Sequence, residues 1–591
     1  MRGTDLTLEI CGMSGDGTIA AGQLLNAALV NAGYSLLAFD SYPAEIRGFG
    51  RCVTHTRVGT EKMIALKNKA DILISLDDRE SLSRIPFLQK DAKVLFDNQP
   101  VAFLEENQSI AGHVEPETHL FGIPFGDLSA KASGNRRGRN LAALGAFAAL
   151  FGVVPECFTR AIEKKFASKG DAVVKSNLAC FEEGLRYVLD VHKDDISEDL
   201  KGVSVSGEER FALISGNEAI AQGALDANVQ FYFGYPITPA TPVMEILAEK
   251  LPPRGGKVMQ MEDEIASIGA VIGAFFAGKR AMTATSGPGF ALMTELIAHA
   301  TITETPAMIV NAQRGGPGTG LPTKTEQSDL HAAVFGGPGD SPRIVLAPTD
   351  VQECYEFTLR SFQLAEKYQT PVILLTDFFL HNRVESLEKL APEPGTVEDA
   401  NVYPPEERKN NYRRYENTET GISPRALPGT RGFIFSASGL EHSEKGNPDS
   451  SPAMHMRMSE KRHRKIAGAL QDLPAPEEHA PEGPLDLGVI AWGSTFGAAL
   501  EAVRMEREKG KPVGALKIAS LFPYHAEALA GFMDKCQEVL IPELNFEGQL
   551  ANLLGHLGGK KIKRLNKATG TPLTSQDISK AIQNLLQDKP S

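Results

Sequence analysis

The stretch from Gly234 to Thr323 decides how the whole chain is read. It opens with Gly234-Tyr235-Pro236-Ile237-Thr238-Pro239 at the end of an apolar run. It continues through Met261-Glu262-Asp263-Glu264 and Ala284-Thr285-Ser286-Gly287-Pro288-Gly289. It closes with Gln313-Arg314-Gly315-Gly316-Pro317 and Leu321-Pro322-Thr323. Each cluster lies where a short β-type run gives way to a helical pattern or a loop. In an open α/β sheet such junctions are the carboxyl ends of strands, where ligands bind. The clusters therefore read as one composite wall of an active site.

The strands feeding that wall would be Phe231 to Phe233, Lys257 to Gln260, Ala281 to Thr285, Ala307 to Ala312, Arg343 to Leu346 and Pro371 to Leu375. They belong to a domain spanning 210–384 that begins with a strand at Arg210 to Ile214. Ahead of it, residues 1–193 alternate apolar runs with helical patterns. This first domain starts at the strand Leu6 to Ile10 and ends in helices at Leu141 to Phe151, Glu156 to Phe166 and Asn177 to Val191. Residues 385–483 differ, with Pro, Gly and charge prominent in Tyr412-Arg413-Arg414-Tyr415 and Lys461-Arg462-His463-Arg464-Lys465. They read as a solvated connector, although one too long to lack structure throughout. Residues 484–591 form a last small domain with strands at Leu487 to Trp492, Gly514 to Ile518 and Glu538 to Ile541. The expected fold class is α/β, three parallel-sheet domains in series.

Composition narrows the function classes. The 591 residues are 42% hydrophobic and 23% charged, which is ordinary for a globular protein. A net charge of −13 offers no broad cationic face to nucleic acid. No apolar run approaches the ~20 residues that span a membrane, and the N-terminus lacks a secretory core. Cys11, Cys52, Cys157, Cys180, Cys354 and Cys536 are scattered with no C-x-x-C pair, which speaks against a cluster or structural zinc on this chain. Scattered cysteines also fit a reducing cytoplasm.

Several groups invite a chemical reading. Gly15-Asp16-Gly17-Thr18-Ile19-Ala20 fits G-x-G-x-x-A between a strand and a helix, with Asp40 at the distance of a ribose-binding acid. The alternative is a tight strand–helix turn. Pro43 to Arg51 and Asn135 to Asn140 carry arginines that suit an anion or merely solvate the surface. In the central domain, Thr238 sits between prolines, as a rigidly placed donor or as the cap of a helix near Pro239. Glu264 starts a nearly uncharged helix, either as a surface partner of the helix dipole or as a buried acid; the small apolar residues after it favour burial. Arg314 can grip a carboxylate or be an unpartnered loop residue, and Thr323 lies in a turn able to return towards it.

Together, Y-P-I-T-P, the E-D-E-I-A helix start, A-T-S-G-P-G and Q-R-G-G-P-x-T-G-L-P-T resemble the α subunit of 2-oxoacid:ferredoxin oxidoreductases, most closely over Gly216 to Asp350. Residues 1 to about 190 resemble the family's γ domain fused ahead of α, as in the enzymes that act on 2-oxoglutarate, although Gly15-Asp16-Gly17 replaces the usual Gly-Gln-Gly turn. Gly421 to Arg425, Glu441-His442 and Lys461-Arg462 resemble its connector, and Pro542-Glu543-Leu544-Asn545-Phe546-Glu547-Gly548-Gln549-Leu550 its C-terminal domain. The resemblance implies oxidative decarboxylation of a 2-oxoacid with thiamine diphosphate, coenzyme A as acyl acceptor and ferredoxin as electron acceptor. It implies that Glu264 hydrogen-bonds the aminopyrimidine ring, with Pro236 and Ile237 beside the cofactor. It also implies that Thr238 and Arg314 hold the substrate carboxylate and that Thr323 lies near the distal end. The family places Mg2+, the diphosphate grip and a [4Fe-4S] cluster on a separate β subunit. This chain is accordingly expected to work only with that partner, in an (αβ)2 heterotetramer.

Three rivals compete with that reading. Pyruvate-, indolepyruvate- and branched-chain-specific relatives share much of this core. A thiamine-dependent decarboxylase or transketolase relative would need its own diphosphate motif. A nucleotide-binding regulatory protein, led by the N-terminal glycine turn, leaves the Tyr235 to Thr323 clusters unexplained.

Overall fold

The computed structural model describes residues 4–42, 50–99, 109–202, 211–388, 390–392, 398–557 and 562–587. It divides into two compact units: 1–214 with 383–389, and 215–382 with 390–591.

The first unit is built on an eight-stranded sheet. Its order is His119–Ile123, Leu88–Asp97, Ala70–Ser75, Asp5–Met13, Arg51–Gly59, Ser35–Ser41, Val384–Leu387 and Ala212–Ser215. The first four strands are parallel neighbours. Arg51–Gly59 runs antiparallel to both its neighbours, and Val384–Leu387 runs antiparallel to Ser35–Ser41. The expected parallel sheet is thus present in the first four strands, and antiparallel pairings extend it beyond them. The interval between Ser35–Ser41 and Arg51–Gly59 is too short for a crossover helix, and an antiparallel return needs none. The strand expected to open the central domain also differs: Ala212–Ser215 sits at the edge of this first sheet. Helices Arg139–Phe151 and Asp171–Val191 supply much of the core, including Phe147, Phe151 and Phe181. They cross where Gly145 and Gly184 stand, since a Cβ at either would overlap the other helix's backbone.

The second unit holds two sheets. One has seven strands in the order Ser520–Phe522, Ile344–Leu346, Pro371–Asp377, Ala307–Gln313, Ala281–Thr285, Phe231–Gly234 and Lys257–Gln260. All its pairings are parallel except that of Ser520–Phe522. The central strands are buried along their whole length and read as continuous apolar runs. The other sheet has five strands: Glu477–His479, Val513–Ile518, Leu485–Trp492, Cys536–Glu543 and Ile562–Asn566.

The motif Pro542 to Leu550 fastens this smaller sheet to the loop beyond Arg314. Asn545 Oδ1 accepts from the Gly548 amide at 2.7 Å, in a turn where Gly548 has φ 68°. Asn545 Nδ2 donates to the Gln327 carbonyl at 2.9 Å, and the Gln327 amide donates to the Leu544 carbonyl at 2.7 Å. Gln549 Nε2 donates to the Ser328 carbonyl at 2.8 Å.

The connector is not the solvated segment its composition suggests. Its basic run lies on helix Pro452–Gly468, with Lys461, Arg462 and Lys465 turned inward. Lys461 and Lys465 both pair with Glu304, which is fully buried, and Arg414 Nη2 donates to the Glu304 carbonyl at 2.7 Å. Burial disfavours the Glu304 charge, but the three cations overcome it and hold its carboxyl far below the usual range. Single-sequence patterning reads a charge run as solvent-facing; the lysines at 461 and 465 instead share one helix face.

Candidate active site

The order of the seven-stranded sheet reverses at Phe231–Gly234. The next strand in sequence, Lys257–Gln260, lies on one side of it and the one after that, Ala281–Thr285, on the other. The carboxyl end of the strand at such a switch opens a crevice. Tyr235 to Thr238 run along it, with Tyr235 and Pro236 exposed and Ile237 and Thr238 half-buried. The next helix begins at Thr241, its Ala240 and Thr241 amides donating to the Ile237 carbonyl. Thr238 thus does not cap it.

Glu264 opens helix Glu264–Phe276. Asp263 caps the helix, accepting from the Ala266 amide at 2.8 Å. Glu264 itself is 6% exposed, and its carboxylate lies against Thr285 and Gly289. Of the two readings offered by the sequence, the buried acid is the one observed. Among the described residues nothing hydrogen-bonds or ion-pairs with it. A carboxylate enclosed this far and bonded to none of the described residues is available to a donor on a bound group.

Arg314 comes directly after strand Ala307–Gln313 and is buried. Its Nη1 donates to the Thr238 carbonyl at 2.8 Å, which joins two of the four clusters directly. Its Nε finds no partner among the described residues. Burial lowers the guanidinium from the ordinary arginine range, and the charge of Asp329 opposes that shift. The chain then folds back: Leu321 donates to the Gly315 carbonyl at 2.8 Å, and Gly315 donates to the Lys324 carbonyl at 3.0 Å. This hairpin returns half-buried Thr323 to the neighbourhood of Arg314.

Further polar residues complete the wall. Gln313 is fully buried; its Nε2 donates to the Thr376 carbonyl and its Oε1 accepts from the Asp329 amide, both at 2.9 Å. Asn311 Nδ2 donates to Asp329 Oδ2 at 3.2 Å. An aspartate ahead of an apolar run reads as a helix cap, so nothing local marks Asp329 as part of a site.

The N-terminal glycine turn is differently employed. Asp16 accepts from the Met13 amide at 2.9 Å and pairs with Arg139, while Asn140 Nδ2 donates to the Gly17 carbonyl. Arg51–Gly59 is interposed between the strand that ends at this turn and the strand carrying Asp40. A dinucleotide site needs those two strands side by side, so the Asp40 reading fails. Arg136 is engaged by Asp127 and by the Gln99 carbonyl. The basic loop from Pro43 to Phe49 lies outside the described residues.

Family models place this architecture. Residues 222–461 match "Pyruvate flavodoxin/ferredoxin oxidoreductase, thiamine diP-bdg", residues 7–187 match "Pyruvate ferredoxin/flavodoxin oxidoreductase", and residues 486–578 match "Pyruvate:ferredoxin oxidoreductase core domain II". The alpha subunit of 2-oxoacid:ferredoxin oxidoreductase 2 from Aeropyrum pernix is 30% identical, covering 99% of this chain and 98% of its own. The chain belongs to the 2-oxoacid:ferredoxin oxidoreductase family. Within that family, 2-oxoglutarate synthase subunit KorA of Methanothermobacter thermautotrophicus is 39% identical over 58% of this chain and 89% of its own. A solved 2-oxoglutarate:ferredoxin oxidoreductase from Magnetococcus marinus, with 2-oxoglutarate, coenzyme A and succinyl-CoA bound, superposes with a TM-score of 0.92. It is 35% identical and covers 99% of this chain and 100% of that one. The residues present fit the cofactor of a family oxidoreductase: an acid at 264 with no partner among the described residues, admitted against helix Gly287–Ile302 by the glycine at 289.

Proposed function

We propose that this chain is the α subunit, with a fused γ domain, of a thiamine-diphosphate-dependent 2-oxoglutarate:ferredoxin oxidoreductase. The reaction takes 2-oxoglutarate, coenzyme A and two oxidised ferredoxins to succinyl-CoA, CO2, two reduced ferredoxins and a proton. The observation that carries the reading is Glu264, a buried carboxylate with no partner among the described residues, set at the switch point beside a clamp formed by Arg314 and Thr238. The KorA relatives and the 2-oxoglutarate-bound neighbour favour 2-oxoglutarate over pyruvate, indolepyruvate or branched-chain 2-oxoacids.

When bound, thiamine diphosphate supplies the carbon nucleophile and the electron sink for decarboxylation. Glu264 would share a proton with the aminopyrimidine ring. Pro236 and Ile237 flank that ring. Arg314 offers charge-assisted hydrogen bonds to the substrate carboxylate, with Thr238 fixing the arginine through its carbonyl. Thr323 lies towards the distal end of the substrate. As the family resemblance implies, Mg2+, the diphosphate grip and the [4Fe-4S] cluster would belong to a β subunit; the six cysteines here are dispersed and buried. The assembly is read as a cytoplasmic (αβ)2 heterotetramer, with 1–193 as the γ-type domain, 210–384 as the pyrimidine domain, 385–483 as connector and 484–591 as the C-terminal domain.

Glu264→Gln, co-expressed with the β subunit, should assemble normally but slow hydrogen–deuterium exchange at the cofactor's C2 by about 10²-fold or more, the scale of one general acid–base contribution. Unchanged exchange would defeat the role of Glu264. A cluster-loaded complex that reduces a low-potential acceptor with none of the four 2-oxoacid classes would defeat the functional reading itself.

A further inference from the structure

Asp329 stands beside the Arg314 clamp without serving as a local structural cap. It precedes helix Leu330–Phe335 yet makes no capping hydrogen bond there. Its backbone and carboxylate are fixed by Gln313 and Asn311, from the strand that delivers Arg314. On its other side it approaches the first turn of helix Gly287–Ile302. A Cβ at residue 287 would lie 2.9 Å from Asp329 Oδ2, so a glycine there is what admits the carboxylate. Asn311 is fully buried, and its Oδ1 has no partner among the described residues. Its hold on Asp329 is therefore a large part of what its polar end does. Arg314 and Asp329 make no ion pair, but each lies within the other's field.

We propose that Asp329 is a positioning residue of the substrate clamp: a fixed negative charge, held by Asn311 close to Arg314, that opposes the carboxylate arriving on that arginine. This rests on the functional reading above and deepens it. With Asp329 ionised, the incoming carboxylate meets a nearly compensated arginine; with Asp329 protonated, it meets the full cation. The opposition vanishes when the carboxylate leaves as neutral CO2, so it bears on the bound substrate more than on the steps after C1–C2 cleavage.

Burial pushes the Asp329 carboxyl up to about 6, with Glu326 adding to the shift and Asn311 and Arg314 resisting it. A second anion on Arg314 drives it further up, so substrate binding near neutral pH draws in a proton. The other charged or titratable groups around it are Glu326 on its own loop, His331 on its helix and Glu264 across the first turn of helix Gly287–Ile302. Glu326 accepts weakly from the Gly316 amide, and His331 is held by Gln549. Helix Gln549–Leu554 brings only the uncharged Gln549 to this side.

The test uses the αβ holoenzyme and 2-hydroxyglutarate, an acid that binds the clamp but cannot be decarboxylated. Calorimetry in buffers of different ionisation enthalpy, from pH 5.5 to 8, reads both affinity and proton uptake. The wild type should bind more weakly as pH rises through the region of 6 and should take up protons on binding. Asp329→Asn should bind about tenfold more tightly at pH 8, the order expected of one screened unit charge. It should also lose both the pH dependence and the proton uptake, while Glu326→Gln keeps them. Equal or weaker binding by Asp329→Asn at every pH, or persisting proton uptake, overturns the inference. Should that variant not assemble, the wild type decides: affinity for the acid must fall with pH while affinity for its C1 amide stays flat, and a flat acid profile overturns the inference. A wild-type complex that oxidises no 2-oxoacid overturns the functional reading and this inference with it. An active complex with an unaltered Asp329→Asn profile overturns only the latter.

Discussion

Gly289 lies in the first turn of helix Gly287–Ile302, against the Glu264 carboxylate, and its replacement by alanine separates catalysis from stability. The added Cβ would come within 2.6 Å of the Glu264 carboxyl carbon, and closer still to Oε1 and to Thr285 Oγ1. Ordinary contact begins near 3.4 Å, so both groups have to give by about an ångström, Thr285 by turning its hydroxyl and Glu264 by shifting its carboxylate. Thr285 is fully buried in a central strand, whereas the Glu264 side chain is held by no partner among the described residues. The acid therefore moves the more freely of the two. Overpacking costs ~1–3 kcal/mol, and the better helix propensity of alanine returns at most ~1 kcal/mol of it. The net loss of ~1–2 kcal/mol leaves the chain folded, while misplacing a catalytic group by about 1 Å lowers the rate by about 10²-fold. The assay pairs urea unfolding of the full chain with C2 exchange and turnover of the αβ complex. A Gly289→Ala enzyme with wild-type exchange and turnover would refute the reasoning. Gly273→Ala is the stability control: nothing lies within 4 Å of its added methyl, and it should gain ~0.5–1 kcal/mol.

Glu304→Gln leaves Lys461 and Lys465 facing an amide in a buried cluster, and should cost ~3–5 kcal/mol in urea unfolding. A loss below ~1 kcal/mol would show that the cluster does not hold the connector helix. Burial pushes the Lys461 ammonium down to about 7, against ~10.4 in the unfolded chain. Between those values the unfolded state binds more protons, so stability should rise with pH from about 7 towards 10. Lys461→Met should flatten that slope, and an unchanged slope would refute its assignment to Lys461. Asn545→Ala removes both the Gly548 turn bond and the Gln327 carbonyl bond. It should cost ~1–3 kcal/mol and speed hydrogen exchange of the Gln327 amide, and unaltered exchange would argue against a role in fastening that loop.

Much of this site is legible in the sequence because its residues sit at strand ends. A buried parallel strand is a short continuous apolar run, and the residues after it fall at the sheet's carboxyl edge whatever the tertiary detail. That logic alone locates Thr238, Glu264, Arg314 and the Ala284 to Gly289 turn, and the family's motifs then suggest what each would do. Asp329 escapes because its position depends on a loop returning across the strand ends, which no local pattern encodes. The burial of Lys461 and Lys465 escapes for a similar reason. Charge predicts exposure only until a buried carboxylate, here Glu304, lies distant in sequence but adjacent in space. The mixed N-terminal sheet shows a third limit: alternating strands and helices imply parallel neighbours, but the interval between Ser35–Ser41 and Arg51–Gly59 is too short for a crossover helix, and the second strand returns antiparallel. Residues 210–214 show a fourth, since a strand's own pattern does not say which sheet it will join.

The eight-stranded sheet has a temporal consequence. Its strand Val384–Leu387 lies between Ser35–Ser41 and Ala212–Ser215, yet it is made only after the central strands of the other unit. A ribosome must deliver residue 387 before the N-terminal sheet can close, so this unit, first in sequence, waits while residues 215–382 of the other unit are made. Until then the long edge of Ser35–Ser41 stays open, a period in which a nascent chain is exposed to mispairing.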